Sequence, residues 1–294
     1  MSCVSTLVFS FRHGQNLAVL RLLALLFALG LCGASCATSV SGFQPAHVAP
    51  KGHAQAEVSL EIVVPTGTLS SAIDAGKTLA ATLAPNSPAL TSAQQRQLVD
   101  AGAALALNPP GAVNHLGLSY TPVARLEASL RYSSGAWRLG ARYQFLEQDR
   151  GGVDLSAGVG GQRQVVDFPV GDVIGILDVK EFTRWSVDVP MLVGRHGRWY
   201  RCWAGPRFIW SQYSGAITLA PPNQAAETAS VAGQSVHVGG LAGAALGYRW
   251  VFVGFELTVV KLISTAHVKI SDSQSDADLG GWVIAPTFGL MGEF

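Results

Sequence analysis

The feature that most constrains the fold is an alternation of apolar and polar residues, which returns along the chain in segments of roughly ten residues. The first segment, His53 to Val64, places Val58 and Leu60 on one face and Glu57 and Glu61 on the other. A two-residue period is the period of a β-strand. The other segments with this pattern are Val113–Tyr120, Arg125–Tyr132, Trp137–Phe145, Val153–Gly161, Trp185–Val193, Tyr200–Trp210, Val236–Trp250, Val251–Val260 and Trp282–Phe294. The sequence therefore predicts an all-β protein of about ten strands.

The composition excludes several other classes of protein. Charged residues make up 13% of the chain, against roughly 25% in typical soluble domains. A net charge of +1 argues against a nucleic-acid-binding protein. The hydrophobic content of 49% excludes a disordered chain, and four cysteines are too few for a disulfide scaffold.

An alternating chain can form a soluble barrel or a barrel whose apolar face contacts lipid, and two features favour lipid. Small residues on the polar face fit a crowded interior: Gly158, Gly160, Gly194, Gly239, Gly243, Gly247 and Gly289. Aromatic residues cluster at the strand ends, with one predicted rim at Tyr132, Trp137, Trp185, Trp210 and Trp282. The opposite rim is predicted at Tyr120, Tyr143, Phe145, Tyr200, Tyr248, Trp250 and Phe294. Two aromatic girdles around an apolar band are typical of a transmembrane β-barrel.

The connections between strands predict the topology. One set is short and the alternate set is mostly long: Pro65–Ala112, Gln164–Arg184, Tyr213–Ser235 and Lys269–Gly281. Such barrels have short periplasmic turns and long extracellular loops, and an even number of strands places both ends of the barrel in the periplasm. We therefore expect an antiparallel up-and-down barrel.

The C-terminal strand resembles that of Gram-negative outer-membrane β-barrel proteins. Thr287, Gly289 and Phe294 match the family's assembly signal, which the barrel-assembly machinery reads. Gly292 departs from the pattern, because a second bulky apolar residue is usual there. The resemblance covers about residues 53–294 and implies a location in the cell outer membrane, in contact with its lipid. It specifies no function, because such barrels include pores, enzymes and adhesins.

The N-terminus has the pattern of an export signal. Basic residues precede the apolar run Leu22–Cys32, and small residues follow it. Residues 1–35 are predicted to form the signal peptide, followed by a periplasmic linker over 36–52 and the barrel over 53–294. Two cleavage patterns remain open: a lipoprotein-type box with lipidation at Cys36, or ordinary cleavage after Ala37.

The first long loop, residues 65–111, has helical rather than strand periodicity. Apolar residues in Ser70–Leu83 follow helical spacing, and Thr91 with Gln94 forms a capping-box pair before a second helix that ends near Leu107. We expect a helical hairpin in the first extracellular loop. The sequence leaves open whether it plugs the barrel or decorates the surface.

The polar faces predict a network of charges in the lumen: Glu57, Glu61, Arg125, Glu127, Arg131, Arg138, Arg142, Asp154, Asp188, Arg201, Arg207, Arg249 and Glu256. Charges held away from bulk water must pair, because unpaired burial is costly. A barrel of this size has an interior only a little wider than side chains can fill. We expect a largely closed lumen, and a structural barrel or a porin-like pore for a small solute.

A rim-site enzyme is the alternative function, protease or lipid-modifying, because ten-stranded outer-membrane proteases pair Asp and His at the extracellular rim. The residues that could serve are His237, His267, Asp172, Asp178, Asp272, Asp276 and Asp278. No residue-by-residue match to that family's motif is present. Ser271–Asp278 lacks the spacing of a calcium loop, and we expect no metal and no cofactor. The sequence does not specify a solute, a substrate or an oligomeric state.

Overall fold

The computed structural model describes residues 37–82, 91–168, 177–219, 226–270 and 273–294. Within these residues it contains the strands β1 (Ala54–Pro65), β2 (Gly111–Val123), β3 (Leu126–Ser133), β4 (Ala136–Leu146), β5 (Asp154–Phe168), β6 (Leu177–Asp188), β7 (Met191–His196), β8 (Tyr200–Leu219), β9 (Glu227–Tyr248), β10 (Val251–Ile270), β11 (Ser273–Asp278) and β12 (Gly281–Glu293). The helices are α1 (Thr66–Thr82), α2 (Ser92–Leu107) and the single turn α3 (Gln148–Gly151). Among these residues, no helix combines the length and the hydropathy needed to cross a bilayer.

The strands form one closed antiparallel barrel. β6 and β7 are two halves of one barrel strand, because both pair with β5 and with β8 on either side of a break at Val189 and Pro190. β11 and β12 likewise continue one another along β10. The result is the ten-stranded barrel that the alternation predicts. The up-and-down order is also confirmed, since each strand pairs with its neighbours in the chain.

The barrel closes between its first and last strands. The register runs antiparallel from Gln55 opposite Glu293 to Pro65 opposite Val283. Beyond the strand end, Phe294 and Ala54 exchange two backbone hydrogen bonds of 2.9 and 3.0 Å. No edge is left at this seam, as a spanning sheet in lipid requires.

The two faces of the wall are assigned as the alternation predicts. Leu130, Val159 and Leu257 are 41%, 53% and 39% exposed on the outer face, whereas the intervening charged residues point inward. Two aromatic girdles are present too: Trp137, Trp185 and Trp282 lie exposed partway up the wall, and Tyr143 and Tyr248 lie exposed near the end with the tight turns. An apolar belt between aromatic girdles fits a bilayer. The chain is a transmembrane β-barrel.

The wall is taller on the side of the long loops. β8, β9 and β10 have 20, 22 and 20 residues, about twice the roughly 9–11 residues that cross a bilayer. Their connections at the opposite end are tight turns, such as Arg249–Trp250 between β9 and β10. We define the tall side as extracellular and the side of the tight turns as periplasmic.

The helical hairpin of the first loop forms as predicted. Thr91 caps α2 and makes the capping box with Gln94, and α2 ends at Leu107 before Asn108. Leu98 and Leu107 are 3% and 0% exposed, and they pack with residues that line the tall part of the wall. α2 therefore lies in the extracellular mouth of the barrel, and the alternative of a surface decoration is wrong for this helix.

Candidate functional site: the filled lumen

Residues 37–50 fill the middle of the lumen as an extended segment, which we call the thread. It has neither helical nor strand structure, yet Val40, Phe43 and Val48 are 0%, 1% and 4% exposed. Its polar contacts reach side chains of β1, β3, β4, β8 and β10. Because these strands lie on different sides of the lumen, the thread must lie inside the barrel.

The thread runs from the extracellular mouth to the periplasmic end. Near its start, the Thr38 hydroxyl donates to the Leu107 carbonyl at the end of α2 (3.2 Å). Beyond its other end, the Gly52 amide donates to the Thr121 carbonyl (2.8 Å) near the periplasmic turn. The predicted periplasmic linker over 36–52 is therefore wrong for residues 37–50. Sequence periodicity could not reveal this, because an extended segment held by charged side chains needs no apolar repeat.

Two buried glutamates hold the thread by its backbone amides. The Glu61 carboxylate accepts from the amides of Val40 and Ser41, both at 2.9 Å. Across the lumen, the Glu256 carboxylate accepts from the amides of Gly42 (2.8 Å) and Phe43 (2.9 Å). Hydrogen bonds to an ionised acceptor are roughly twice as strong as neutral ones. These two carboxylates therefore fix the height of the thread.

Three guanidinium groups hold the thread by its carbonyls. Arg131 donates to the carbonyls of Ser41 and Gly42, and Arg142 donates to those of Pro45 and His47. Arg207 donates to the Val40 carbonyl (2.8 Å). The wall thus supplies anions to the amides of the thread and cations to its carbonyls, which compensates for the loss of water by these groups.

Glycines in the wall make room for the thread. A Cβ atom at Gly254 would lie 3.0 Å from the ring of Phe43, and one at Gly289 would lie 2.8 Å from the same ring. Trp203 meets Phe43 edge-on with ring centroids 6.1 Å apart, and its indole N–H donates to Glu256 (2.7 Å). Gly289, one of the small residues predicted to reflect a crowded lumen, therefore accommodates a specific aromatic side chain, and Gly254 was not among those predicted.

The remaining lumen charges pair with one another. Asp188 accepts two bonds from Arg138 (2.7 and 2.8 Å) and one from Arg207 (2.9 Å). Glu127 pairs with Arg142 at 3.0 Å. Two further ion pairs are Glu57 with Arg131 and Arg201 with Glu293. Removing one member of such a buried pair leaves the other charge buried without a partner. The resulting loss of folding stability is larger than the net contribution of the intact pair.

Two of the predicted lumen residues lie elsewhere. Arg125 and Arg249 have φ values of +70° and +59°, because each occupies a tight periplasmic turn rather than a strand. Arg125 pairs there with Glu147 at 2.7 Å, and Arg249 stacks over the ring of Tyr248. The prediction that these two arginines line the lumen is wrong, since the alternation was extended one residue beyond each strand.

The extracellular end of the thread is joined to α2 by Arg184, which the sequence analysis missed. Its guanidinium donates to the Thr38 hydroxyl and to the Leu107 carbonyl, and the residue is 1% exposed. Arg184 continues the inward face of Ser186 and Asp188 in β6. The signal was therefore present in the alternation, one residue before the predicted start of that strand.

A histidine missed by the sequence analysis supports the first glutamate. His115 is fully buried, with Nε2 2.9 Å from Glu61 and Nδ1 2.8 Å from the Ser133 hydroxyl. This serine, histidine and glutamate lie in one hydrogen-bonded row. Because Glu61 also binds the thread, the row holds its carboxylate in place.

The histidines of the alternative rim-site enzyme do not share a site. His237 points into the barrel, with both ring nitrogens buried and without a hydrogen bond, whereas His267 is exposed on the outer face of β10. The backbone register places Asp276 of β11 opposite His267. The other aspartate of that strand is Asp278, and Asp178 lies in β6. Cys36, Asp172 and Asp272 lie outside the described residues.

The C-terminal residues of the predicted assembly signal occupy three settings. Thr287 is fully buried, Gly289 faces the Phe43 ring, and Phe294 is 52% exposed at the periplasmic rim. Packing against the Phe43 ring inside the lumen thus explains a glycine at position 289 without reference to the assembly machinery. Recognition by that machinery stays a prediction.

No protein-family model matches the sequence, and no curated protein matches it. Among solved structures, the chain is similar to a major outer membrane protein from Thermus thermophilus, with 11% identity, 82% of this chain and 99% of that chain covered, and a TM-score of 0.37. It is also similar to the outer membrane protease OmpT from Escherichia coli, with 9% identity, 87% and 100% coverage, and a TM-score of 0.36. The COG4313 outer membrane channel from Pseudomonas putida F1 matches with 10% identity, 87% and 100% coverage, and a TM-score of 0.30.

The lipid-facing surface of this chain itself indicates the membrane. A closed antiparallel barrel with an apolar belt, two aromatic girdles and tight turns at one end is the outer-membrane type. The chain therefore has the architecture of a transmembrane β-barrel of this type.

Proposed function

We propose that this protein is a plugged barrel, closed at rest, through which a small solute passes only when the plug moves. The plug has two parts, the thread in the middle of the lumen and α2 in the extracellular mouth. The observation that carries the proposal is the way in which the thread is held. Glu61, Glu256, Arg131, Arg142 and Arg207 bind its backbone from around the wall.

The form of these contacts supports a removable plug more than a permanent core. All five side chains bind backbone groups of the thread. Water can replace each of those contacts, because every group involved is polar or charged. The alternative is a purely structural role for the barrel. A measurement of ion conductance distinguishes a structural barrel from a pore with a removable plug.

The test is ion conductance through a planar bilayer by four forms of the refolded protein. The wild type is expected to be closed or to open rarely. Deletion of residues 38–49 removes the thread, deletion of residues 70–107 removes most of the helical hairpin, and the fourth form carries both deletions. We expect steady conductance when both are absent and more frequent opening when only one is absent.

Heat-modifiable gel migration must first show that each variant is a folded barrel. A folded variant that lacks both the thread and the hairpin and still does not conduct would contradict the proposed pore. Steady conductance by the wild type would contradict the closed resting state.

A further inference from the structure

Three side chains that can bind a metal ion meet at the periplasmic end of the lumen. His47 belongs to the thread, Asp154 begins β5, and His196 ends β7. One potential ligand atom from each lies within 4.8 Å of the others. Asp154 is fully buried, and its Oδ2 is 2.6 Å from Nδ1 of His196. The two imidazole rings stack with centroids 3.9 Å apart. The sequence analysis predicted no metal, because these residues are far apart in the chain.

Two glutamines hold the Asp154 carboxylate and the backbone at or beside the two histidines. Gln144 donates to Asp154 Oδ1 (2.8 Å) and accepts from the amide of Val48 (2.9 Å), the residue after His47. Gln148 donates its backbone amide to the same Oδ1 (3.0 Å). Its side chain accepts from the His196 amide (2.9 Å) and donates to the His196 carbonyl (3.0 Å). Outer hydrogen bonds that orient the ligands are a regular feature of metal sites.

The donor chemistry indicates the kind of ion. Two imidazoles and one carboxylate are the protein ligands of one common type of zinc site, in which a water molecule takes the fourth position. His47 Nδ1 is buried and has no hydrogen-bond partner, although such atoms normally have one. A ring nitrogen that makes no hydrogen bond has its lone pair available to bind a metal ion.

Binding requires the His196 ring to rotate out of its stack with His47, because the lone pair of a ring nitrogen lies in the ring plane and near-parallel rings do not direct both lone pairs at one ion. In a tetrahedral site with metal–ligand bonds of roughly 2.0–2.1 Å, ligand atoms lie about 3.3 Å apart. The side chain of His196 is 33% exposed, which leaves it space to rotate toward the ion. Arg142 lies nearby and binds the His47 carbonyl, but Glu127 neutralises its charge at 3.0 Å.

We propose that His47, Asp154 and His196 bind one Zn²⁺ ion, which joins the thread to the barrel wall at its periplasmic end. One ligand comes from the thread and two come from the wall. Zinc therefore binds the docked state more tightly than any state in which the thread has left the lumen, and it stabilises the docked state by mass action. This binding does not depend on whether the barrel conducts solutes.

The test is zinc binding by the mature chain, produced without a polyhistidine tag, stripped with chelator and held in detergent. Competition with a chromophoric zinc indicator measures stoichiometry and affinity. We expect one Zn²⁺ per chain, loss of this site in His47→Ala and His196→Ala, and a loss of about 10–100-fold in affinity in Gln144→Leu. His53→Ala is the matched control, because that residue is exposed at the same end of the barrel, and it should bind like the wild type.

A second measurement keeps the test independent of folding defects. Zinc should raise the thermal unfolding temperature of the wild type and of His53→Ala, and should leave that of a folded His47→Ala unchanged. The proposal is overturned if the wild type binds no zinc, or if His47→Ala binds and is stabilised as strongly as the wild type.

Discussion

At the scale of single residues, the lumen is organised by carboxylates that each serve several partners. Asp188 joins Arg138 of β4 to Arg207 of β8, and Glu256 joins the thread to Trp203. A buried charge is tolerated only when neighbouring groups offset its loss of hydration with ion pairs and hydrogen bonds. Substitutions that remove the charge and keep the shape therefore test the network most cleanly.

Asp188→Asn should destabilise the barrel by about 3–5 kcal/mol, because it leaves two buried guanidinium groups without their anion. Urea unfolding in detergent, followed by tryptophan fluorescence, measures this change. Glu227→Gln is the matched control, since Glu227 is exposed at the start of β9, and it should change stability little. Equal stability of the two variants would mean that the Asp188 network does not support the fold.

The outer face should reject a charge. Leu130→Arg and Leu257→Arg each place a cation in the apolar belt, at a cost of about 2–4 kcal/mol if the site is near the bilayer midplane. Leu130→Met and Leu257→Met serve as controls of similar volume. Folding into lipid vesicles, read by heat-modifiable migration, should be impaired only by arginine. If both arginine variants insert normally, the two faces of the wall are reversed.

Asp100 of α2 is a half-buried acid, and one of its carboxyl oxygens has no hydrogen-bond partner. Burial raises the pKa of Asp100 above its ordinary value of 3.8, and Arg96 offsets part of that rise. Since the folded state favours the protonated form, this group stabilises the fold at low pH, and the contribution is lost as pH rises through the raised pKa.

Asp100→Asn should therefore raise the melting temperature at pH 7, and the gain should shrink as the pH falls toward 4. Melting curves of both proteins between pH 4 and 7 measure it. A gain that grows toward acid pH would contradict the account.

At the scale of elements, the sequence predicted the strands and helices, which have a periodic pattern of apolar residues. It did not predict the thread, which has no such pattern. The strands were predicted because lipid on one side and the lumen on the other impose alternation on every residue. The helices of the first loop were predicted from caps and spacing, although α1 begins at Thr66 rather than Ser70. The thread was not predicted, because many of its polar contacts with the wall are made by backbone groups that every residue possesses. The same limit explains the metal-binding cluster, which exists only because the thread brings His47 to β5 and β7.

The last strand carries the next prediction. Phe294 is the outward terminal aromatic residue, and its backbone pairs with Ala54. Deleting it should reduce delivery to the outer membrane in cells more than it reduces stability in detergent, because only one half-exposed side chain is lost. Gly292→Tyr should partly restore delivery of the truncated protein. A Cβ at Gly292 lies 2.8 Å from the Phe294 ring, and the deletion removes that obstacle.

Membrane fractionation of the truncated protein and of the double variant decides this. Normal outer-membrane levels of the truncated protein would mean that the last strand is not the assembly signal. In intact protein, Gly292→Tyr must displace the Phe294 ring, so this variant controls for any effect of tyrosine alone.

At the scale of the whole molecule, the barrel is wide enough to need filling and this chain fills it with its own N-terminal residues. A barrel of eight strands is about filled by its side chains, so ten strands leave space for one extended segment. The thread occupies that space in the membrane, and α2 occupies the mouth above it. The closed state thus depends on the segment that precedes the barrel in the sequence.

Hydrogen–deuterium exchange of the thread amides tests this account most directly. The amides of Val40, Ser41, Gly42, Phe43 and Val48 donate to Glu61, Glu256 and Gln144 inside the barrel. We predict that these amides, measured in the refolded protein in lipid, exchange as slowly as those of β1. Exchange at the rate of an unstructured peptide, while β1 stays protected, would contradict the presence of the thread in the lumen.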